Sequence, residues 1–386
     1  MKPRLDSILG TAVADGRVPC ITAAVTNANE VIYEGAFGTT DLDGTTPVEN
    51  DSVFRIASMT KAVTSVAAMQ LVEQGLIRLD QPAMELVERL ADVQVVDGYD
   101  ESGTPRFRPP SQPPTIRQLL SHTSGFGYHA WNPDLAEFAD KTGTPDPARG
   151  AAGILDLPMV RDPGIQWEYS TSTDWLGAAV ESASGLSLEE YFRRHIFDPL
   201  EMPDTTFVPQ PAQLDRLVAL RHRQSDNSLP PAEFPLDLEP NFFSGGGGLI
   251  STAPDYTRFL QALLNDGALG DARILSPASI EAMGQGLLET AGAGHMPAAI
   301  PAMTNAVAFR PETKCTFGLG FLINSGPLRT GRPAGGMEWA GLFNSYYWLD
   351  RTTGIAGTIL MQLLPFADTE AIAIYESFET GVYDSL

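Results

Sequence analysis

Two cysteines in 386 residues exclude a disulfide framework. Cys20 and Cys315 both lie beside apolar, strand-like runs, where buried free thiols are expected. Histidine is also sparse: His122, His129, His195, His222 and His295 are scattered without metal-ligand spacing. No metal and no cofactor are therefore expected. No apolar run approaches transmembrane length, and Met1–Ser7 lacks the apolar core of a signal peptide, so a cytoplasmic location and no membrane partner are expected. Positive charge is short as well. Lys and Arg total 25 against 48 Asp and Glu, a net charge of −23, which argues against nucleic acid and anionic lipid surfaces. A small, neutral or mildly charged molecule remains as the expected partner. Gly-x-Ser-x-Gly, the nucleophile elbow of α/β-hydrolases, occurs nowhere.

Lysine is the scarcest charged residue, and only Lys2, Lys61, Lys141 and Lys314 are present. One of them completes Ser58-Met59-Thr60-Lys61. Apolar Val63, Val66 and Met69 then recur at helical spacing and Gly75 supplies a stop, so the stretch reads as the start of an amphipathic helix. Positions i and i+3 share a helix face, which brings the Ser58 hydroxyl and the Lys61 amine together. A serine hydroxyl is a poor nucleophile at neutral pH, and a lysine held in a dry pocket can help remove its proton. A helix N-terminus directs backbone N–H groups towards charge developing beside Ser58. The tetrapeptide alone is a weak signal. The scarcity of lysine strengthens it, because an arginine could not release a proton.

The chain is long enough for a large core and two structural regions. Residues 4–16 read as a helix. Ile21–Thr26 and Glu30–Gly35 read as strands joined by a turn at Asn27-Ala28-Asn29. Prolines punctuate 88–165, with one helix at Thr115–Leu120. Further helices are expected at Asp174–Ala183, Leu188–Ile196, Pro254–Leu264 and Ile372–Val382. Thr316–Asn324 reads as a single strand, and Asn344–Asp350 with Ile355–Leu363 as a hairpin. Strands at both ends with helices between them predict an α+β fold: an antiparallel β-sheet flanked by helices and interrupted by a mostly helical domain. The expected division is 1–87 with 241–386 as the sheet domain and 88–240 as the helical one, the site lying between them. Gly245–Gly248 lacks the Gly-Lys-Ser/Thr of a phosphate loop and reads as a close backbone approach beside the site.

Three further segments supply candidate site residues. Tyr169 follows Pro163-Gly164 in a turn before a helix. Glu338-Trp339-Ala340-Gly341-Leu342 precedes the hairpin, where a strand edge could line a cleft. Leu119-Leu120-Ser121-His122-Thr123-Ser124-Gly125 forms a loop, and Phe126, Tyr128 and Trp131 after it are candidate pocket walls.

In this order the segments resemble the serine β-lactamase and penicillin-binding-protein superfamily, and within it the class C β-lactamase-like esterases called family VIII carboxylesterases. The resemblance implies Ser58 as nucleophile, Lys61 as its hydrogen-bonded neighbour and Tyr169 as base and leaving-group acid. A cation near a phenol favours the phenolate, which suits that role. It implies an oxyanion hole from the backbone N–H groups of Ser58 and Leu342, and substrate contacts at Trp339 and Gly341. Trp339-Ala340-Gly341 stands where lactamases and D,D-peptidases carry Lys-Thr-Gly. Thr171 stands where they carry Asn. Both departures point away from carboxylate-bearing β-lactams and towards apolar esters. His122 is expected to pin its loop, and Asp174 to cap or orient the helix after Tyr169. The expected activity is hydrolysis of short- to medium-chain or aryl carboxylic esters through an acyl-enzyme on Ser58. The alternatives are a D-amino-acid amidase or peptidase, a weak β-lactamase, an acyltransferase, and a catalytically silent binding protein on the same scaffold.

Overall fold

The computed structural model describes residues 1–144, 151–288 and 292–386. Helix α1 (Lys2–Ala14) leads into strands β1 (Cys20–Asn27) and β2 (Val31–Gly38). The Asn27 side chain closes the turn between them by accepting from the Asn29 and Glu30 amides at 2.8 and 2.9 Å. A short strand β3 (Phe54–Arg55) precedes helix α2 (Thr60–Glu73). Helix α3 (Ser172–Ser184), strand β4 (Ile250–Ser251) and helix α4 (Ala253–Leu264) come next. Strands β5 (Cys315–Phe317), β6 (Leu322–Asn324), β7 (Met337–Gly341), β8 (Ser345–Asp350) and β9 (Ile355–Leu360) then lead to helix α5 (Thr369–Tyr383).

Seven strands form one antiparallel sheet in the order β5-β6-β7-β8-β9-β1-β2. The two ends of the chain meet where β9 pairs with β1, Ile359 lying opposite Ala23. Side chains alternate faces along a strand, and β8 uses both. Tyr347 meets Tyr256 of α4 on one face, at 5.3 Å between ring centroids. Its neighbours Tyr346 and Trp348 meet Tyr375 and Phe378 of α5 on the other, at 4.6 and 5.7 Å. The sheet is therefore covered by helices on both sides.

Two expectations need correction. Thr316–Asn324 is not one strand: Gly318 to Phe321 form a tight turn, the Gly318 amide bonding the Phe321 carbonyl at 2.8 Å, so β5 and β6 pair as a hairpin. Gly320 takes φ +103°, and a Cβ there would fall 2.3 Å from Ser65 Oγ of α2, so only glycine fits the turn. Helix α2 is also not amphipathic in its setting. Every residue from Thr60 to Leu71 is buried, and its Thr and Ser hydroxyls are spent inside the protein, as in the bonds from Thr64 to the Thr60 and Gly245 carbonyls.

Beneath β7 lies a buried ion cluster. Glu338 accepts from Arg310 at 2.7 Å and Arg332 at 2.6 Å, while Glu379 of α5 pairs with the same arginines at 2.9 and 2.8 Å. Tyr375 donates to Glu338 at 3.2 Å. Two charges of each sign compensate one another out of water, and together they tie β7 to α5 from the face opposite Trp339. Among the described residues, no helix is long and apolar enough to cross a membrane.

Candidate active site

Ser58 sits in a single 3₁₀ turn, Ala57–Met59, immediately before α2. The turn is held firmly. Ile56 donates to the Leu249 carbonyl at 3.1 Å, β3 pairs with β4, and Tyr256 donates to the Met59 carbonyl at 3.0 Å. Ala57 is forced to φ +42°, a strained value for a residue with a Cβ. One turn later Lys61, 2% exposed, reaches back along the same helix face. Its ammonium donates to Ser58 Oγ at 3.3 Å, to Tyr128 Oη at 3.0 Å and to the Gly246 carbonyl at 2.6 Å.

Tyr169 reaches this pair from the loop preceding α3. Its phenol donates to Ser58 Oγ at 2.6 Å, and the Lys61 ammonium lies 4.9 Å from its ring centroid. Trp339, from β7, packs against Tyr169 at 4.9 Å and directs its indole N–H to the phenol oxygen at 3.4 Å. Ser58, Lys61 and Tyr169 thus come together from two distant parts of the chain.

Ser58 opens onto a cavity of about 190 Å³ whose walls include Tyr128, Trp131, Phe207, Phe234, Phe343 and Leu342. Three residues expected at the pocket do not line it. Phe126 is buried against Trp175, stacked at 5.6 Å. Trp339 is covered by Tyr169 on one side and stacked on Phe309 at 5.2 Å on the other, so it supports the phenol instead of meeting a substrate in this cleft. Gly341 is pressed against the turn before Ser58, where a Cβ would lie 2.3 Å from the Ile56 carbonyl oxygen. That close approach is what carries Leu342, the next residue, to the same cleft as Ser58. Tyr128 both lines the cleft and binds Lys61, a role beyond the wall expected of it.

Asp174 does not cap its own helix. Its buried carboxylate crosses to the glycine run, accepting from Ser244 Oγ at 2.6 Å, from the Gly246 amide at 3.0 Å and from the Tyr128 phenol at 3.4 Å. A Cβ on Gly246 would lie 2.4 Å from Asp174 Oδ2, so the run is glycine where the backbone must touch both Asp174 and Lys61. Burial raises the Asp174 carboxyl above its ordinary range, opposed by the Lys61 charge. Burial, then the Asp174 charge, raise the Tyr128 phenol well above its own, which keeps Tyr128 a neutral donor. His122 is held by Ser170 Oγ at 3.0 Å, and burial with the Lys61 charge lowers its pKa far below the usual histidine value. It is a neutral ring that ties its loop to the Tyr169–Ser170 segment. Sequence reasoning did not single out Gly246 or assign Asp174 to it; the glycine run was the one hint, since four consecutive glycines mark a backbone pressed against something.

The Beta-lactamase family model matches residues 5–381. The chain belongs to the Beta-lactamase family. The ML-236A carboxylate methylbutanoyltransferase of Penicillium citrinum is 32% identical over 352 residues, covering 88% of this chain and 82% of that protein. The lovastatin esterase of Penicillium rubens is 30% identical over 397 residues, covering 99% and 98%. Unliganded simvastatin synthase from Aspergillus terreus superposes with a TM-score of 0.85 at 28% identity, covering 99% of this chain and 97% of that one. The large antiparallel sheet flanked by helices is accordingly the β-lactamase/transpeptidase fold. Two of these relatives are an esterase and a methylbutanoyltransferase, so the chain sits among serine hydrolases and acyltransferases acting on ester or acyl groups.

Proposed function

We propose that this protein transfers an acyl group through an ester on Ser58 to an alcohol held in the apolar cleft, with water as a competing acceptor. The observation that carries the reading is the Tyr169–Ser58 contact at 2.6 Å, at the mouth of a cleft walled by Phe207, Phe234 and Phe343. In the reactive form Tyr169 is the phenolate, paired with the Lys61 ammonium. Ser58 Oγ attacks the acyl carbonyl as its proton passes to the Tyr169 oxygen, and Tyr169 then gives that proton to the departing group and returns to the phenolate. The Lys61 ammonium offsets charge on the Tyr169 oxygen and on Ser58 Oγ. The amides of Ser58 and Leu342 are the proposed donors to the carbonyl oxygen as it becomes an oxyanion. In the second half, an acceptor hydroxyl gives its proton to the Tyr169 phenolate and attacks the acyl carbonyl. Tyr169 passes that proton to Ser58 Oγ as the acyl bond to it breaks, releasing the new ester and restoring the Ser58 hydroxyl.

An acceptor alcohol is favoured over water alone by the apolar walls and by the kinship to a methylbutanoyltransferase. Hydrolysis of carboxylic esters is the second reading, supported by the near full-length alignment with an esterase. The absence of the lactamase Lys and Asn at Trp339 and Thr171 speaks against β-lactam and D-amino-acid amide substrates. The deciding experiment uses p-nitrophenyl butyrate with and without decanol. A burst of p-nitrophenol followed by decyl butyrate at the expense of butyric acid is expected. Butyric acid alone at every decanol concentration would leave the esterase reading in its place. Turnover by Ser58→Ala would sink both.

A further inference from the structure

We propose that Gly247 is a specificity-determining residue: its missing side chain is room beside Ser58 for the acyl group, and it sets how wide that group can be at the carbonyl. The proposal rests on acylation of Ser58, and not on whether an alcohol or water then takes the acyl group.

Four consecutive glycines, Gly245 to Gly248, run past the reactive serine, and packing accounts for three of them. A Cβ on Gly245 would lie 2.8 Å from the Thr173 carbonyl oxygen, and one on Gly246 2.4 Å from Asp174 Oδ2. A Cβ on Gly248 would lie 2.7 Å from the Phe207 ring. Gly247 is different. Beyond its chain neighbours, the one heavy atom within 4 Å of its Cβ position is the Ala57 carbonyl carbon at 3.8 Å, an ordinary contact. Conformation does not call for glycine either, since none of the four takes a left-handed φ. A glycine that neither packing nor conformation requires weakens a fold, because alanine there would lose less chain entropy on folding.

The open direction is the cleft. Gly247 lines the same cavity as Ser58, and the Ala57 carbon it faces is bonded to the Ser58 amide, a proposed oxyanion donor. The run cannot turn a new side chain away, because it is anchored on both sides of Gly247. Thr64 Oγ1 donates to the Gly245 carbonyl at 2.7 Å and Lys61 to that of Gly246 at 2.6 Å. The Gly248 amide donates to the Ser244 carbonyl at 2.9 Å, and the Leu249 amide to Thr60 Oγ1 at 3.2 Å. A side chain at 247 would therefore enter the space where a carbonyl bonded to Ser58 Oγ carries its first carbons. Close-packed walls turn such added volume into a clash, and one methyl group in an apolar pocket discriminates by about tenfold or more.

The test uses p-nitrophenyl valerate and p-nitrophenyl pivalate, isomers that are linear and branched at the carbon beside the carbonyl. Release of p-nitrophenol is measured, with kcat and KM resolved, for wild type, Gly247→Ala, Gly247→Ser and Gly246→Ala. Wild type is expected to turn over both esters, and no release from pivalate would overturn the proposal. Gly247→Ala and Gly247→Ser should each raise the valerate-to-pivalate ratio of kcat/KM by about tenfold. The melting temperature of Gly247→Ala should be unchanged or raised. Gly246→Ala displaces the loop, so it should slow both esters and leave their ratio near that of wild type. An unchanged ratio in the Gly247 variants overturns the proposal, as does an equal change in Gly246→Ala, which would make the effect one of loop displacement. Variants that keep the ratio but discriminate between hexanol and cyclohexanol as acceptors would place the alcohol over Gly247 and overturn the acyl assignment. Failure of both Gly247 variants to fold would mean that the fold needs this glycine, which also overturns it. Turnover by Ser58→Ala would instead remove the acylation beneath the proposal, and that is measured separately.

Discussion

Lys61 bonds the carbonyl of Gly246 at 2.6 Å, closer than the 3.3 Å that separates it from Ser58. The ammonium is therefore positioned by a backbone oxygen, and that oxygen is positioned by Asp174 through the Gly246 amide. The placement of Lys61 beside Ser58 therefore depends on the glycine run.

Gly246→Ala tests this relationship. The new Cβ would lie 2.4 Å from Asp174 Oδ2 and 2.9 Å from Tyr128 Oη, so the loop must shift and carry the carbonyl away from Lys61. Activity is expected to fall by about 10²-fold in kcat, comparable to displacing a catalytic group by an ångström. The melting temperature should drop by only a few degrees. Unchanged kcat would show that Lys61 holds its place without Gly246.

Tyr169→Phe removes the hydroxyl that bonds Ser58 and leaves the ring packing intact. A loss of about 10²–10⁴-fold in kcat is expected, the usual range for a general acid–base group. Circular dichroism should be unaltered. A burst of p-nitrophenol at the normal rate would transfer the proton role elsewhere.

Trp339→Phe retains a buried ring and deletes the indole N–H that points at the Tyr169 oxygen at 3.4 Å. Because Trp339 lies behind Tyr169 and does not wall the cleft, kcat should fall several-fold while KM for apolar esters stays constant. A rise in KM with constant kcat would return Trp339 to the substrate wall.

Acid stability should be set largely by Glu338. Burial acts to raise its pKa, but Arg310 and Arg332 outweigh burial and hold it at about 2, against an ordinary 4.5. A lowered folded-state pKa contributes stability that is full above pH 4.5 and is lost as the pH falls towards 2. Glu338→Gln should cost about 3–5 kcal/mol at pH 7 by leaving the arginines undercompensated. In urea titrations, the gap between wild type and variant should close between pH 4.5 and 2. A gap that is constant with pH would mean that the charge of Glu338 is not what stabilises β7.

The cooperation of Ser58 with Lys61 was legible in the sequence because it is local: three residues of helix place one side chain over the other, whatever the rest of the chain does. Strands β1, β8 and β9 were legible as short apolar and β-branched runs bounded by turn residues, and they are almost wholly buried. Tyr169 could be found only through motif order, since 111 residues separate it from Ser58. The roles of Phe126 and Trp339 were misread because an aromatic near a site looks the same in sequence whether it faces the cleft or stacks on Trp175 or Phe309. What only the tertiary structure decided are the long-range pairings and the missing ones. Gly246 meets Lys61 across 185 residues, Asp174 turns from its own helix to the glycine run, and among the described residues Arg55 meets no carboxylate. A sequence specifies which groups exist and how neighbours along one helix or strand align. Which charge is left without a partner is a property of the whole packed chain.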